Sequence, residues 1–246
     1  MTYCVGLRLD AGLVMLADTR TNAGLDNISR FAKMSHWEAP GERALVLMSA
    51  GNLSITQGVV TRLSVACERA AAGEETESIL TCPSMFRAAQ LVGDAMAGEQ
   101  RRYRSRLEAQ GEAADATLIL GGQRAGGAPR LFLVYSAGNF IEATADTPFF
   151  QIGEHKYGKP ILDRVITPAT PIPTALKAAF VSMDSTLRSN LSVGLPLDLA
   201  VIRAGEMRLA ARRRIEADDP DFSAISTAWS EALREAFSEV PEVVLE

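Results

Sequence analysis

The chain opens Thr2-Tyr3-Cys4-Val5-Gly6-Leu7-Arg8-Leu9-Asp10-Ala11-Gly12-Leu13-Val14-Met15-Leu16-Ala17-Asp18-Thr19 behind Met1, and the reading of this stretch decides the fold. Two apolar runs, Thr2 to Leu9 and Leu13 to Thr19, flank the turn-forming triplet Asp10-Ala11-Gly12, which predicts an antiparallel hairpin starting at the second residue. A hairpin that turns at residues 10 to 12 brings position 18 back beside position 2, and so sets an acid near the start of the chain. Residue 2 carries a hydroxyl, and removal of Met1 would give the same residue a free α-amine. Such an amine has a pKa of about 8, low enough to take a proton from a neighbouring hydroxyl and activate it as a nucleophile. Alone, a small second residue carries little functional weight; the residues downstream supply it.

Two further strands are predicted at Phe31 to Trp37 and Ala44 to Ser49, joined at the turn Pro40-Gly41. The period then changes from strand to helix. From Asn52 to Ala72, Val59, Val60, Leu63, Cys67 and Ala70 recur at helical spacing, and Ser84 to Gln110 forms a longer helical stretch with a charged distal end. Strands return at Ala116 to Gly121, Arg130 to Tyr135, Asn139 to Thr144 and Pro148 to Ile152, with Gly121 to Gly127 read as a loop. Helices follow at Tyr157 to Arg164 and Thr174 to Leu187, the second with Leu176, Phe180, Met183 and Leu187 on one face. A last hairpin, Leu197 to Ile202 with Met207 to Arg212 around Ala204-Gly205, precedes a terminal helix from Phe222 to Phe237. Strand blocks alternating with helix pairs suggest two stacked sheets covered on their outer faces by helices, within one domain over residues 1–246.

Composition narrows the function classes. The 246 residues are 47% hydrophobic and 22% charged, with a net charge of −5, as expected of a soluble protein with a large core. The short basic clusters at Arg101-Arg102-Tyr103-Arg104 and Arg212-Arg213-Arg214 are offset by Glu216, Asp218 and Asp219, which argues against nucleic acid. Cys4, Cys67 and Cys82 lack metal-ligand spacing, and with only His36 and His155 present no metal or other cofactor is expected. An odd number of cysteines, no leader pattern and no run of about 20 apolar residues point to the cytoplasm and away from a membrane.

Thr2, Asp18 in Leu16-Ala17-Asp18-Thr19-Arg20, Lys33 in Arg30-Phe31-Ala32-Lys33-Met34, and Ala50-Gly51 after the strand Ala44-Leu45-Val46-Leu47-Met48 form one constellation. It resembles the proteasome β-subunit family, a branch of the N-terminal nucleophile hydrolases, and more closely the bacterial proteasome-related branch called Anbu. The resemblance extends through Gln151-Ile152-Gly153 and Leu199-Ala200-Val201-Ile202. The terminal helix and the long second helix exceed what the simplest bacterial proteasome-like peptidases carry and fit the Anbu branch. The resemblance implies an α+β, four-layer αββα sandwich with an additional helix at about 221–237. It implies Thr2 as nucleophile, its own α-amine as base and the Gly51 N–H in the oxyanion hole. Lys33 would stabilise the deprotonated hydroxyl, with Asp18 holding Lys33 through an ion pair. Leu53, where the family lines its specificity pocket, would shorten that pocket and favour small side chains.

The chain also departs from the family pattern. Gly153-Glu154-His155 stands where Gly-Ser-Gly is usual, and Ser189-Asn190-Leu191-Ser192-Val193 where Asp-x-x-Ser-Gly is usual, so Ser192 matches but the acid is missing. Glu154 has two readings: a replacement for that acid, orienting the terminal amine, or an ordinary loop residue. Ser136 is read as a turn residue and Asp184 as a helix-surface acid. The resemblance implies a self-compartmentalised threonine peptidase that assembles with itself as a ring or spiral and acts on peptide substrates, with a separate ATP-dependent unfoldase as the delivering partner. Two alternatives stay open: a small-molecule amidohydrolase or amide-forming transferase with the same nucleophile, and a catalytically silent oligomeric scaffold.

Overall fold

The computed structural model describes residues 2–22 and 28–243. Its first sheet has five antiparallel strands in the order β10-β1-β2-β11-β12: Phe149–Gly153, Tyr3–Leu9, Gly12–Asp18, Leu197–Arg203 and Ala211–Ile215. The second runs β5-β6-β7-β8-β9: Met34–Ala39, Arg43–Gly51, Ala116–Arg124, Arg130–Val134 and Phe140–Glu142. A two-strand ribbon, β3 (Arg20–Asn22) and β4 (Ile28–Arg30), links them. The helices are α1 (Leu53–Ala71), α2 (Met85–Glu108), α3 (Lys159–Val165), α4 (Ile172–Ser189) and α5 (Pro220–Ser238). This is a mixed α and β fold with antiparallel sheets and, among the described residues, five helices.

Alternation along the strands divides the core into three parts. On β1, Tyr3, Val5, Leu7 and Leu9 pack with Leu162 of α3, Ala175, Ala179 and Met183 of α4, and Phe222 of α5. On β6 and β7, Leu45, Leu47, Leu118 and Leu120 pack with Ile55, Val59 and Leu63 of α1 and Ala88, Val92 and Met96 of α2. The opposite parity brings the sheets together: Cys4, Met15 and Ala17 of the first pack with Val46, Met48, Ile119 and Leu131 of the second. Both faces of β2 are therefore buried, and a one-residue slip would exchange one full core for another. Each buried Leu or Val contributes about 1.5–3 kcal/mol, so these faces hold the hairpin that carries residues 2 and 18.

Several elements differ from the sequence reading. Phe31 to Lys33 is not strand; β5 begins at Met34, and the Lys33 carbonyl accepts the Ser49 N–H at 2.9 Å. The ribbon is too short to leave a periodic signal. The strand read as ending at Gly121 runs on to Arg124, so Gly122, read as loop, lies inside β7 with Gly121. A Cβ on Gly121 would come within 2.9 Å of Met15 Sδ, so glycine there lets the two sheets approach. The last hairpin strand is Ala211–Ile215, after a longer connection than Ala204-Gly205 alone. Asp184 is only 4% exposed: it accepts Ser226 Oγ of α5 at 2.7 Å and Arg188 Nε at 3.1 Å. Together with the edge-on Phe180–Phe222 pair, with ring centroids 5.8 Å apart, it fastens α5 to α4.

Arg43 fastens a second long connection. Its buried guanidinium donates to the Ile79 carbonyl at 2.9 Å and to the Cys82 carbonyl at 2.7 Å, anchoring the segment before α2 to β6. Arg43→Ala should remove the Cys82 carbonyl's bond, leave the Ile79 carbonyl only the weak Cys82 Sγ donor at 3.6 Å, and lower the unfolding free energy by about 3 kcal/mol. Urea denaturation at fixed protein concentration, compared with the parent chain, checks this; an unchanged midpoint would refute the anchoring.

Candidate active site

Thr2 precedes β1, and both neighbouring backbones press on it. Its carbonyl accepts the Glu154 N–H at 2.6 Å, and Gly153 pairs with Tyr3 across β1 and β10. Gly153 has φ +80°, and a Cβ there would overlap the Thr2 carbonyl oxygen, so only glycine lets β10 end this close to the chain's start. The next residue is fixed at both ends. The Tyr3 N–H donates to Asp18 Oδ1 at 3.0 Å, and its phenol oxygen lies 2.5 Å from Ser182 Oγ and 2.6 Å from Gln151 Nε2.

Asp18 ends β2 at 0% exposure and gathers four donors. Oδ1 accepts from Lys33 Nζ at 2.7 Å and from Tyr3; Oδ2 accepts the N–H groups of Arg20 and Gly194, each at 3.2 Å. Burial holds the Asp18 carboxyl above the ordinary carboxylate value, against the pull of Lys33 and of the Tyr3 and Gly194 N–H groups. Lys33, 7% exposed, also donates to the Arg20 carbonyl at 2.6 Å. Two acceptors thus aim the ammonium. Cys4 sits beside this group, but burial, reinforced by Asp18, pushes its thiol up and makes it a poor nucleophile.

Gly51 closes β6 with φ +106°, where a Cβ would overlap the Asp115 carbonyl oxygen. The ladder sets the direction of its N–H. Asn52 donates to the Asp115 carbonyl on β7's side at 2.8 Å, whereas Ser49 donates to Lys33 on the opposite side. By antiparallel alternation the Gly51 N–H shares the direction of Ser49 and emerges just before β5 begins. Asn52 caps α1, its Oδ1 accepting the N–H groups of Ser54 at 3.0 Å and Ile55 at 3.3 Å. That cap fixes Leu53 at the helix start, one turn before Thr56.

Thr2, Lys33, Gly51 and Leu53 line one cleft of about 330 Å³, with Thr21, Ser49, Ala50, Thr56 and Gly153 completing it. Asp18 stands behind Lys33. Glu154 approaches Thr2 through its backbone, but its carboxylate accepts from Asn190 Nδ2 and the Lys156 N–H, each at 3.1 Å, and does not line the cleft. Ser192 lies outside the cleft as well, its N–H on Asn190 Oδ1 at 2.9 Å. Ser136 occupies its turn and exchanges hydrogen bonds with the Ala116 backbone. Met1, and with it the state of the Thr2 amine, lies outside the described residues. Sequence reasoning missed Thr21, which the short ribbon hides, and Asn190, which stands beside the expected acid position. Among the described residues no group of His, Cys, Asp and Glu could hold a metal ion, all three cysteines are free, and no helix is long and apolar enough to cross a membrane.

No protein-family model matches the sequence, and no curated protein does. Solved structures do. The Gly-1 mutant of Anbu from Hyphomicrobium sp. strain MC1 is 48% identical over the full length of both chains, with a TM-score of 0.89. Anbu from Yersinia bercovieri, described as an ancestral β-subunit, is 45% identical over 99% of each chain, with a TM-score of 0.91. The helical assembly of the Anbu complex from Pseudomonas aeruginosa is 43% identical over 98% of each, with a TM-score of 0.90. Identity at this level along the entire chain, joined to the same backbone, places the protein in the Anbu family of proteasome-related proteins.

Proposed function

We propose that this chain is a threonine hydrolase of the N-terminal nucleophile type, a peptidase that assembles with copies of itself. The observation that carries the reading is the shared cleft, which Thr2, Lys33 and Gly51 line together, with buried Asp18 paired to the Lys33 ammonium. On this reading the three packed cores are the four-layer αββα sandwich of a single proteasome-like unit, to which α5 is an addition. The relative from Pseudomonas aeruginosa, a helical assembly, supports the oligomer, a ring or spiral in the cytoplasm. Delivery of folded substrates falls to a separate ATP-dependent unfoldase.

Once Met1 is removed, the Thr2 amine takes the proton from Oγ1 as that oxygen attacks an amide carbonyl carbon. The carbonyl π-electrons move onto oxygen, where the Gly51 N–H stabilises the charge. Collapse expels the amine, which takes the proton held by the Thr2 ammonium, and leaves an ester on Oγ1. Water, deprotonated by the Thr2 amine, then attacks the ester carbonyl carbon; the bond to Oγ1 breaks, Oγ1 recovers its proton from the Thr2 ammonium, and the acid is released. Lys33 favours the deprotonated hydroxyl throughout, and Asp18 acts on the reaction by fixing Lys33. Leu53 at the head of α1 takes up room in the cleft and favours substrates with small side chains.

The first experiment is the intact mass of the assembled particle, with an acyl-trapping electrophile and a fluorogenic peptide screen in parallel. Loss of one methionine, labelling on Thr2 and peptide turnover are expected. Labelling without turnover would move the function to a small-amide hydrolase or transferase; quantitative retention of Met1 leaves an amide nitrogen that cannot act as base and sinks the mechanism in favour of a scaffold.

Asp18→Ala and Lys33→Ala should each lower kcat by about 10³-fold, and the double variant should lose little more, because the two act as a unit. Losses that multiply in the double variant contradict that coupling. Gly153→Ala should reduce kcat by about 10²-fold by displacing Thr2, while circular dichroism shows the fold retained; unchanged turnover would mean that this close contact does not position the nucleophile.

A further inference from the structure

Arg20, the first residue of β3, enters the site above only through its backbone; its side chain makes a further set of contacts. Nη1 donates to the Leu191 carbonyl at 2.9 Å, in the connection 190–196 between α4 and β11. Leu191 is itself 85% exposed, whereas Val193 is buried in the core, so the Arg20 hydrogen bond ties the exposed part of that connection to the ribbon. The guanidinium also lies against Gly194, where a Cβ would overlap Nε and Cζ of Arg20. Gly194 lacks the positive φ that calls for glycine in a turn, so its missing side chain serves this close approach. The same glycine gives its N–H to Asp18 Oδ2 at 3.2 Å. One guanidinium thus spans the Leu191 carbonyl and the residue that helps hold the buried carboxylate, a reach that suits a planar fork better than the point charge of a lysine.

We propose that the Arg20 side chain is a positioning residue: by clamping the connection 190–194 to the start of β3, it fixes where Thr2 stands relative to the Lys33–Asp18 pair. The contacts form a closed ring. Going one way from Thr2, its carbonyl accepts the Glu154 N–H at 2.6 Å, and the Glu154 carboxylate accepts Asn190 Nδ2 at 3.1 Å, next to Leu191. Going the other way, the Tyr3 N–H reaches Asp18 at 3.0 Å, Asp18 holds Lys33 at 2.7 Å, and Lys33 donates to the Arg20 carbonyl at 2.6 Å. The Arg20 side chain joins the two arms. It does not line the cleft, so it acts on the reacting groups through these partners. That the clamp serves catalysis rests on the hydrolase reading; the clamp itself does not.

Two substitutions break the clamp from opposite sides. Arg20→Met removes the guanidinium and keeps the apolar stem, whereas Gly194→Ala keeps the charge and pushes the guanidinium away with the added methyl. Hydrogen exchange of the assembled full-length protein, read by mass spectrometry, should show the amides of 190–195 exchanging at least about tenfold faster in both variants, with β2 unchanged. On a peptide that the parent cleaves, kcat should fall about tenfold in both, and KM should stay within about twofold. The acid limb of kcat/KM should move to higher pH, because a carboxylate that loses the Gly194 N–H is more easily protonated; Lys33 and Cys4, the titratable groups beside Asp18, are kept in both variants. Changes confined to Arg20→Met overturn the proposal, since the lost charge would account for them. Unchanged kcat, or exchange at the parent rate, overturns it as well. If the parent cleaves no peptide, the hydrolase reading fails and exchange decides alone: faster exchange of 190–195 in both variants upholds the clamp, and the parent rate refutes it.

Discussion

The buried pair Lys33–Asp18 is the interaction on which the rest of the site depends. Two charges taken out of water are costly, and their attraction repays the cost only when the remaining lone pairs and protons are also satisfied. Here Asp18 receives three backbone N–H groups besides the ammonium, and Lys33 gives a second hydrogen bond to the Arg20 carbonyl. Those partners come from the start of β1, the start of the ribbon, the connection before β5 and the connection before β11. One carboxylate thereby sets the relative positions of segments far apart in sequence. An apolar pair of similar volume would fill the space at lower cost, but would leave no cation in the cleft and no acceptor for the Tyr3 N–H. The arrangement is better understood as geometry maintained at the expense of stability than as a source of it.

The hairpin was legible because its two apolar runs are separated by a triplet that can hardly be anything but a turn. Its register, and therefore the return of Asp18 to the start of the chain, followed from length alone. Lys33 was read correctly as a neighbour but wrongly as a strand residue. Alternation cannot see that the chain leaves the ribbon at Arg30, gives its Lys33 carbonyl to Ser49 and turns the side chain back across to Asp18. Gly121 and Gly122 misled in the opposite direction. Two adjacent glycines ordinarily announce a loop, but inside β7 Gly121 makes room for Met15 of the facing sheet and Gly122 for Leu45, its cross-strand neighbour on β6, demands that exist only after the strands are paired and the sheets packed. Asp184 shows the same limit: an acid on a helix is written like a solvated one, and only the return of α5 and Ser226 makes it an interior group.

The departures from the family pattern are resolved differently. Glu154 stood at a position where a hydroxyl was expected, and its sequence context left open whether its carboxylate faces the nucleophile. Its backbone does, through the N–H on Thr2; its side chain turns to Asn190. Asn190 in turn gives its Oδ1 to the Ser192 N–H, so Glu154, Asn190 and Ser192 form a chain that supports the loop behind the cleft and presents no acid to it. The residue replacing the family's hydroxyl and the one beside its missing acid are hydrogen-bonded to each other, and neither is left unpaired.

What these contacts produce is a Thr2 with little positional freedom, which is what its proposed role as nucleophile requires. The Thr2 carbonyl is held by Glu154, the following N–H by Asp18, and the following phenol by Ser182 and Gln151 from α4 and β10. Gly153 closes the remaining side without adding an atom. Thr2 lines the cleft together with Lys33, whose ammonium has its direction set by two acceptors. In the proposed reaction, orientation of this kind would lower the barrier by removing the entropy of finding the geometry. The demand falls on the sequence at Gly153, Tyr3 and Asp18, so the part of the structure that holds Thr2 in place extends well beyond the residues that line the cleft.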